Sequence, residues 1–176
     1  DIQDMWPDTL KATDMITNKI LLAVVGHFCD WVYRNVDHIA VQSPGFKKLL
    51  IERDVPETKI DVVYNWCAES ELKSSFTEKI TNLSESGKFH ILFAGNMGKA
   101  QALDSVLEAA KKLMLTAPGL VFVFLGSGIE VDRLKKITTE QSIKNIVFYP
   151  SVPMDEVGRY LYSADALLVH LKKDPL

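Results

Sequence analysis

The run Phe89-His90-Ile91-Leu92-Phe93-Ala94 passes without a break into Gly95-Asn96-Met97-Gly98-Lys99-Ala100-Gln101, after which apolar residues recur at helical spacing. An apolar strand that stops at glycine and restarts as a helix predicts a strand, a tight turn and a helix start. In an open α/β fold such a junction lies at the carboxyl edge of a parallel sheet, where backbone N–H groups and a nearby ammonium can hold a phosphorylated ligand. The spacing G-x-x-G-K-A differs from the P-loop, which needs four residues between its glycines and Ser or Thr after the Lys, and from G-x-G-x-x-G. Glycine used only for close packing would leave the same trace, so the turn alone keeps both readings open.

The pattern recurs along the chain. Asp1 to Asp8 reads as a strand end and an acidic Trp-Pro turn, and Ile16 to Val36 as a helix with Ile20, Val24, Phe28, Trp31 and Val32 on one side. A short strand at His38–Gln42 closes at Ser43-Pro44-Gly45, a helix follows over Phe46–Ile51, and Lys59–Tyr64 is a further strand. Between Asn65 and Lys88 the composition turns to Glu, Ser, Lys, Thr and Asn, as in a linker. The alternation then resumes. Strands are expected at Phe89–Ala94, Leu120–Leu125, Asn145–Tyr149 and Ala166–Leu171, with helices through Leu103–Met114, Val131–Ile137 and Val157–Leu161. Continuous apolar strands between helices predict a parallel sheet covered on both faces. The expected fold class is therefore α/β, Rossmann-like, in two parts: residues 1–65, a linker over 66–88, and residues 89–176.

Composition narrows the function. A chain of 176 residues, 47% hydrophobic and 24% charged, is of globular type. A formal net charge of -3 supplies no field for nucleic acid, so no nucleic-acid partner is expected. Cys29 and Cys67 are the two cysteines, without C-x-x-C spacing, which fits a reducing cytoplasmic setting and predicts no metal site. The four histidines, His27, His38, His90 and His170, show no ligand spacing and read as structural.

Several segments in this order resemble the nucleotide-sugar glycosyltransferases of family 4, also called group 1, which have the two-domain GT-B architecture. They are Asp1-Ile2-Gln3-Asp4-Met5-Trp6-Pro7-Asp8, Val41-Gln42-Ser43-Pro44-Gly45-Phe46, Val62-Val63-Tyr64-Asn65-Trp66, Phe93-Ala94-Gly95-Asn96-Met97-Gly98-Lys99, Leu125-Gly126-Ser127-Gly128 and Phe148-Tyr149-Pro150-Ser151-Val152-Pro153 leading to Tyr160–Asp165. The subgroup that it most resembles makes bacterial surface polysaccharide. The resemblance implies that residues 1–65 are the late half of an acceptor-side domain and 89–176 the early half of a nucleotide-sugar-binding domain. It implies a nucleotide-sugar donor, with UDP expected, a lipid-linked or surface glycan acceptor, and no further cofactor. A spaced pair of glutamates that holds the donor sugar in the family finds no match here. The chain therefore reads as a piece of a hexosyltransferase-type enzyme, expected to be inactive alone.

Carried over residue by residue, the resemblance places the donor diphosphate at Gly95, Asn96, Gly98, Lys99 and Gln101. Lys99 would neutralise the leaving group, with Asn96 and Gln101 as neutral donors where relatives add an Arg. The nucleotide base would meet Gly126, Tyr149, Ser151 and Val152. Asp4 is the candidate catalytic residue, orienting a sugar; its alternative is a cap on the following turn. Gln3 stands where many relatives have His. Trp6 could stack on a sugar ring, but is expected to pack under the turn.

The same reading allows peripheral contact with the inner face of the membrane through Ile16–Val36, flanked by Lys11, Lys19 and Arg34, with domain packing as the alternative. Self-association is a further expectation, since few strands in the first half leave an edge and an apolar face to cover. Two other functions stay open: a UDP-sugar 2-epimerase-like GT-B enzyme, and a non-catalytic Rossmann-like interaction module.

Overall fold

Every strand pair in the computed structural model is parallel among the described residues, as strand-to-strand crossovers through helices require. The structure describes residues 1–13, 15–66, 80 and 87–173. Most of the expected linker lies outside them. Two units separate, Asp1–Cys67 with Lys173–Leu176 and Ala68–Lys172.

In the first unit, β1 (Ile39–Val41) pairs in parallel with β2 (Ile60–Val62), and Ile2 bridges Val41 on the other side of β1. A short helix α1 (Asp8–Ala12), not anticipated from the sequence, precedes α2 (Lys19–Asn35), and α3 (Pro44–Glu52) joins the two strands. α2 starts three residues later than expected. The Asn18 side chain accepts from the N–H groups of Ile20 and Leu21 and sets that start. Ser43-Pro44-Gly45, expected to be a loop, instead opens α3: the Ser43 hydroxyl accepts from Phe46 N–H, and Pro44 has no N–H to leave unpaired in the first turn. Met5, Cys29, Tyr33, Val41, Leu50 and Ile60 form the core. Burial pushes the Tyr33 hydroxyl up to about 12 and raises the Cys29 thiol.

One flank of α2 is buried through Cys29 and Tyr33, and the next is not. Ile20, Val24, Phe28 and Trp31 are all more than half exposed, with the Phe28 and Trp31 rings stacked at 6.1 Å. No helix among the described residues is long and apolar enough to cross a membrane.

In the second unit four strands run in the order β5-β4-β3-β6, with β3 at Phe89–Ala94, β4 at Leu120–Leu125, β5 at Ile146–Tyr149 and β6 at Ala166–Leu167. The helices are α4 (Asp104–Thr116), α5 (Val131–Glu140) and α6 (Met154–Ser163). Alternate residues of the central strand go to opposite faces, as strand pleating dictates. Phe122 and Phe124 pack with Val106, Leu107 and Ala110 of α4 and Leu134 of α5, while Val123 and Leu125 pack with Tyr160 and Leu161 of α6. Both faces of the sheet are covered, so the fold is the α/β, Rossmann-like one that the apolar strands predict.

β6 is shorter than expected. Leu168 N–H still reaches the Leu92 carbonyl at 2.7 Å, but beyond it the His170 ring bonds the Gln101 carbonyl and Lys172 N–H bonds the Ala100 carbonyl, each at 2.7 Å. The chain is thus drawn from the sheet to the turn after β3. Arg133 joins α5 to the start of α4 with a bidentate pair to Asp104 at 2.7 Å and a second contact to Glu130. Those hydrogen bonds hold the Asp104 carboxyl below the usual carboxylate range.

Two outcomes follow from this packing. Trp31→Ala and Phe28→Ala should each change the unfolding free energy of the chain by less than about 0.5 kcal/mol, whereas Leu50→Ala, fully buried, should cost roughly 2–5 kcal/mol in urea titrations. Because the folded Asp104 carboxyl is more acidic than the unfolded one, its contribution is present above the unfolded value of 3.8 and is lost as pH falls through the folded value. Asp104→Asn should flatten that part of the acid-unfolding curve. The pair is half exposed, so the contribution is at most about 1 kcal/mol.

Candidate nucleotide-sugar site

β3 and β4 end side by side, and their exits interlock through backbone. Gly95 N–H donates to the Leu125 carbonyl (2.9 Å), Met97 N–H to Ser127 (2.7 Å) and Glu130 N–H back to Met97 (3.1 Å), while Gly126 N–H donates to Tyr149 at the end of β5 (3.2 Å). A Cβ on Gly126, at φ 140°, would lie 2.0 Å from the Gly95 carbonyl oxygen. One on Gly128, at φ 150°, would lie 2.4 Å from that of Met97. No other residue fits either place, so this glycine pair is more than a simple loop. Gly95 also has a positive φ, 150°, but a Cβ there would meet nothing within 4 Å. Only the side to which a Cβ would point is open.

Gly95 also borders a pocket of about 340 Å³ at the carboxyl edge of the sheet. Five of the predicted residues border it: Gly95, Asn96, Gly126, Ser151 and Val152, together with Ser127 and, from α6, Met154 and Val157. A second pocket of about 250 Å³ lies beside it and shares Gly126, Ser127 and Ser151. Tyr149 borders this one, as do Met97, Phe148 and two residues of α5 that sequence reasoning missed, Asp132 and Lys135. The available signal was their spacing, three apart in the first turns of the helix after Gly128, which puts both on one side.

Gly98, Lys99 and Gln101 border neither pocket. Lys99 and Gln101 belong to a single 3-10 turn, Lys99–Gln101, which Gly98 leads into and which separates β3 from α4. The expectation of bare N–H groups along the whole glycine turn is corrected here: those of Gly95 and Met97 are taken up by the neighbouring strand exit. That of Gly98 donates to Gln101 Oε1 at 3.0 Å. Gln101 thus closes the turn through its oxygen. Lys99 is exposed and makes no ion pair among the described residues. Ala102 ends the turn in the left-handed conformation, φ 44°.

Asp4 belongs to the first unit, exposed, in the segment after the Ile2 bridge. It does not cap α1, whose flanking residue is Pro7 with no side-chain cap. Trp6 is not packed under the turn as expected but 46% exposed. Its carbonyl is what the core holds: Arg53 Nη1 donates to it at 2.8 Å and the Tyr33 hydroxyl at 3.2 Å, while Arg53 also pairs with Asp8. The backbone of this segment is anchored and the indole is left in solvent. The histidines bond to nearby groups: His27 to the Ala23 carbonyl, His38 to Asp61, and His170 to the Gln101 carbonyl, with His90 buried 3.7 Å from Asp165.

Comparison with known proteins adds the family. Residues 75–176 match the family described as Glycosyl transferases group 1. The chain is 23% identical over 176 residues to the probable glycosyltransferase WbjE of Pseudomonas aeruginosa, covering 98% of this chain and 44% of that protein. It is 27% identical over 144 residues to the putative colanic acid biosynthesis glycosyl transferase WcaI of Escherichia coli (strain K12), covering 79% of this chain and 35% of that protein. The chain thus spans less than half the length of either relative. Among solved structures, HepE of Anabaena in complex with UDP-glucose superposes with a TM-score of 0.63 at 11% identity, over 80% of this chain and 40% of that one. At that identity the likeness shows the fold alone, parallel-sheet and Rossmann-like as in part of a GT-B enzyme. Since the family match extends over more than half of the residues, this chain belongs to the group 1 glycosyl transferases.

Proposed function

We propose that this chain carries the donor side of a glycosyl transfer in which a sugar moves from a nucleoside diphosphate, UDP in the first instance, to a lipid-linked or surface glycan. The observation that carries the reading is the interlocked glycine turns, which place the backbone of Gly95 and Gly126 at the wall of a pocket at the carboxyl edge of β3 and β4. Parallel α/β sheets bind ligands at that edge. HepE, which shares the fold, is known in complex with UDP-glucose, and WcaI is assigned to colanic acid biosynthesis. Both support the choice of donor and acceptor class.

In this reading the bond between the anomeric carbon and the diphosphate oxygen breaks while an acceptor hydroxyl attacks that carbon, and the hydroxyl proton passes to the departing diphosphate. Negative charge grows on the departing diphosphate. Lys99, exposed on the turn after β3 and without an ion pair among the described residues, is the proposed counter-charge, with Asn96 donating from the pocket wall. Gly126, Ser151 and Val152 border the nucleotide. Asp4, anchored through its neighbours in the first unit, is proposed to orient a sugar hydroxyl.

Lys99→Ala should weaken UDP binding about ten- to a hundredfold in calorimetric titrations, the worth of one charge-assisted phosphate contact. An unchanged dissociation constant would remove Lys99 from the site. Gly126→Ala should cost roughly 1–3 kcal/mol of stability, since strand exits must part to admit the methyl group, and should abolish UDP binding. Gly45→Ala is its control. Gly45 lies in α3 with its nearest neighbour at 3.7 Å, so there the change should be neutral or stabilising by up to about 1 kcal/mol.

A further inference from the structure

The charged side chains of α5 and its leading residue fall into two sets. Arg133 pairs with Asp104 and Glu130, and Lys136 with Glu140. Asp132 and Lys135 make no ion pair among the described residues, and these two alone of the set border the second pocket. The Lys135 ammonium stands 5.8 Å from the centre of the Phe148 ring, at the pocket wall. A helix that pairs its other charges but leaves one acid and one base facing a cavity presents an acceptor and a donor there.

The ligand chemistry follows from that pair. A phosphate group would be repelled by the Asp132 carboxylate, and an apolar ligand would strip water from both charges without replacing it. A planar heterocycle whose edge carries an N–H next to a carbonyl or ring nitrogen satisfies both, the N–H donating to Asp132 and the acceptor receiving from Lys135. Nucleobases have such edges. The pocket shares Gly126, Ser127 and Ser151 with the one already assigned to the donor, so the two lie side by side, within reach of the parts of one nucleotide sugar. We propose that Asp132 and Lys135 read the edge of the donor's nucleobase in the second pocket and so set which nucleotide the chain accepts. This inference rests on the nucleotide-sugar reading above.

The test titrates UDP, GDP and ADP, and pyrophosphate as a competitor, against the 176-residue chain and its Asp132→Asn and Lys135→Gln variants. Both side chains are exposed, and matching urea midpoints would show that the variants fold. Each variant should weaken the preferred nucleotide about ten- to a hundredfold, the worth of a hydrogen bond to a charged group, and narrow the gap between the three nucleotides. Pyrophosphate should compete equally with all three proteins. If the unaltered chain binds none of the nucleotides, the proposed function itself falls. If it binds one, and Lys99→Ala weakens that binding while both α5 variants leave it unchanged, the donor reading stands and the base is read elsewhere. Loss of pyrophosphate competition in the variants would place the two charges on the phosphates and overturn the proposal.

Discussion

Two parallel strands that end next to each other must release their chains into the same narrow space, and in this protein that space admits no side chain. Gly126 and Gly128 lie against the carbonyls of Gly95 and Met97, and hydrogen bonds from Gly95, Met97, Gly126 and Glu130 tie the exits of β3, β4 and β5 into one layer. The remainder of the second unit is arranged around this layer. α4 starts beyond the turn it forms, α5 starts from it, and both pockets open on it. Its strength is collective, because the four bonds join neighbouring residues of the same three strand exits.

The same contact decides what the turn can offer a ligand. Amides that bind the neighbouring strand cannot also bind phosphate, so the turn leaves open to a ligand the Cβ side of Gly95 and the side chains of Asn96 and Ser127 at the pocket wall. The further 3-10 turn, closed by Gln101 onto Gly98 and held from the far side by His170, keeps Lys99 at the surface.

The first unit follows a different rule. Its polar anchor is Arg53, which holds the Trp6 carbonyl, Asp8 and the face of Tyr33 together. With this anchor the segment bearing Asp4 is fixed by its backbone and by Met5 in the core, while the Asp4 and Trp6 side chains face outward. α2 shows the same economy of contact: it buries Cys29 and Tyr33 and exposes Ile20, Val24, Phe28 and Trp31. Apolar periodicity identifies such a helix but is silent on which flank meets the sheet, since both flanks of α2 are apolar.

The sequence by itself determined the elements whose cause is local. β3 and β4 have the bounds that their apolar runs predict, because a strand buried on both faces needs an unbroken run and glycine ends it. The parallel sheet, the helix positions and the resemblance to group 1 glycosyl transferases were legible for the same reason, and so were Gly95, Asn96, Gly126, Ser151 and Val152 as neighbours at one edge. Tertiary structure decided everything that depends on a partner distant in the chain. It alone shows that Gly126 must be glycine because of Gly95, that the Gln101 oxygen is turned onto Gly98, and that β6 stops at Leu167 because His170 and Lys172 are drawn to the turn after β3. It alone separates Asp132 and Lys135 from the paired charges around them. A residue's spacing reports its own helix or strand, whereas its hydrogen bonds and its cavity are set by the segments folded against it.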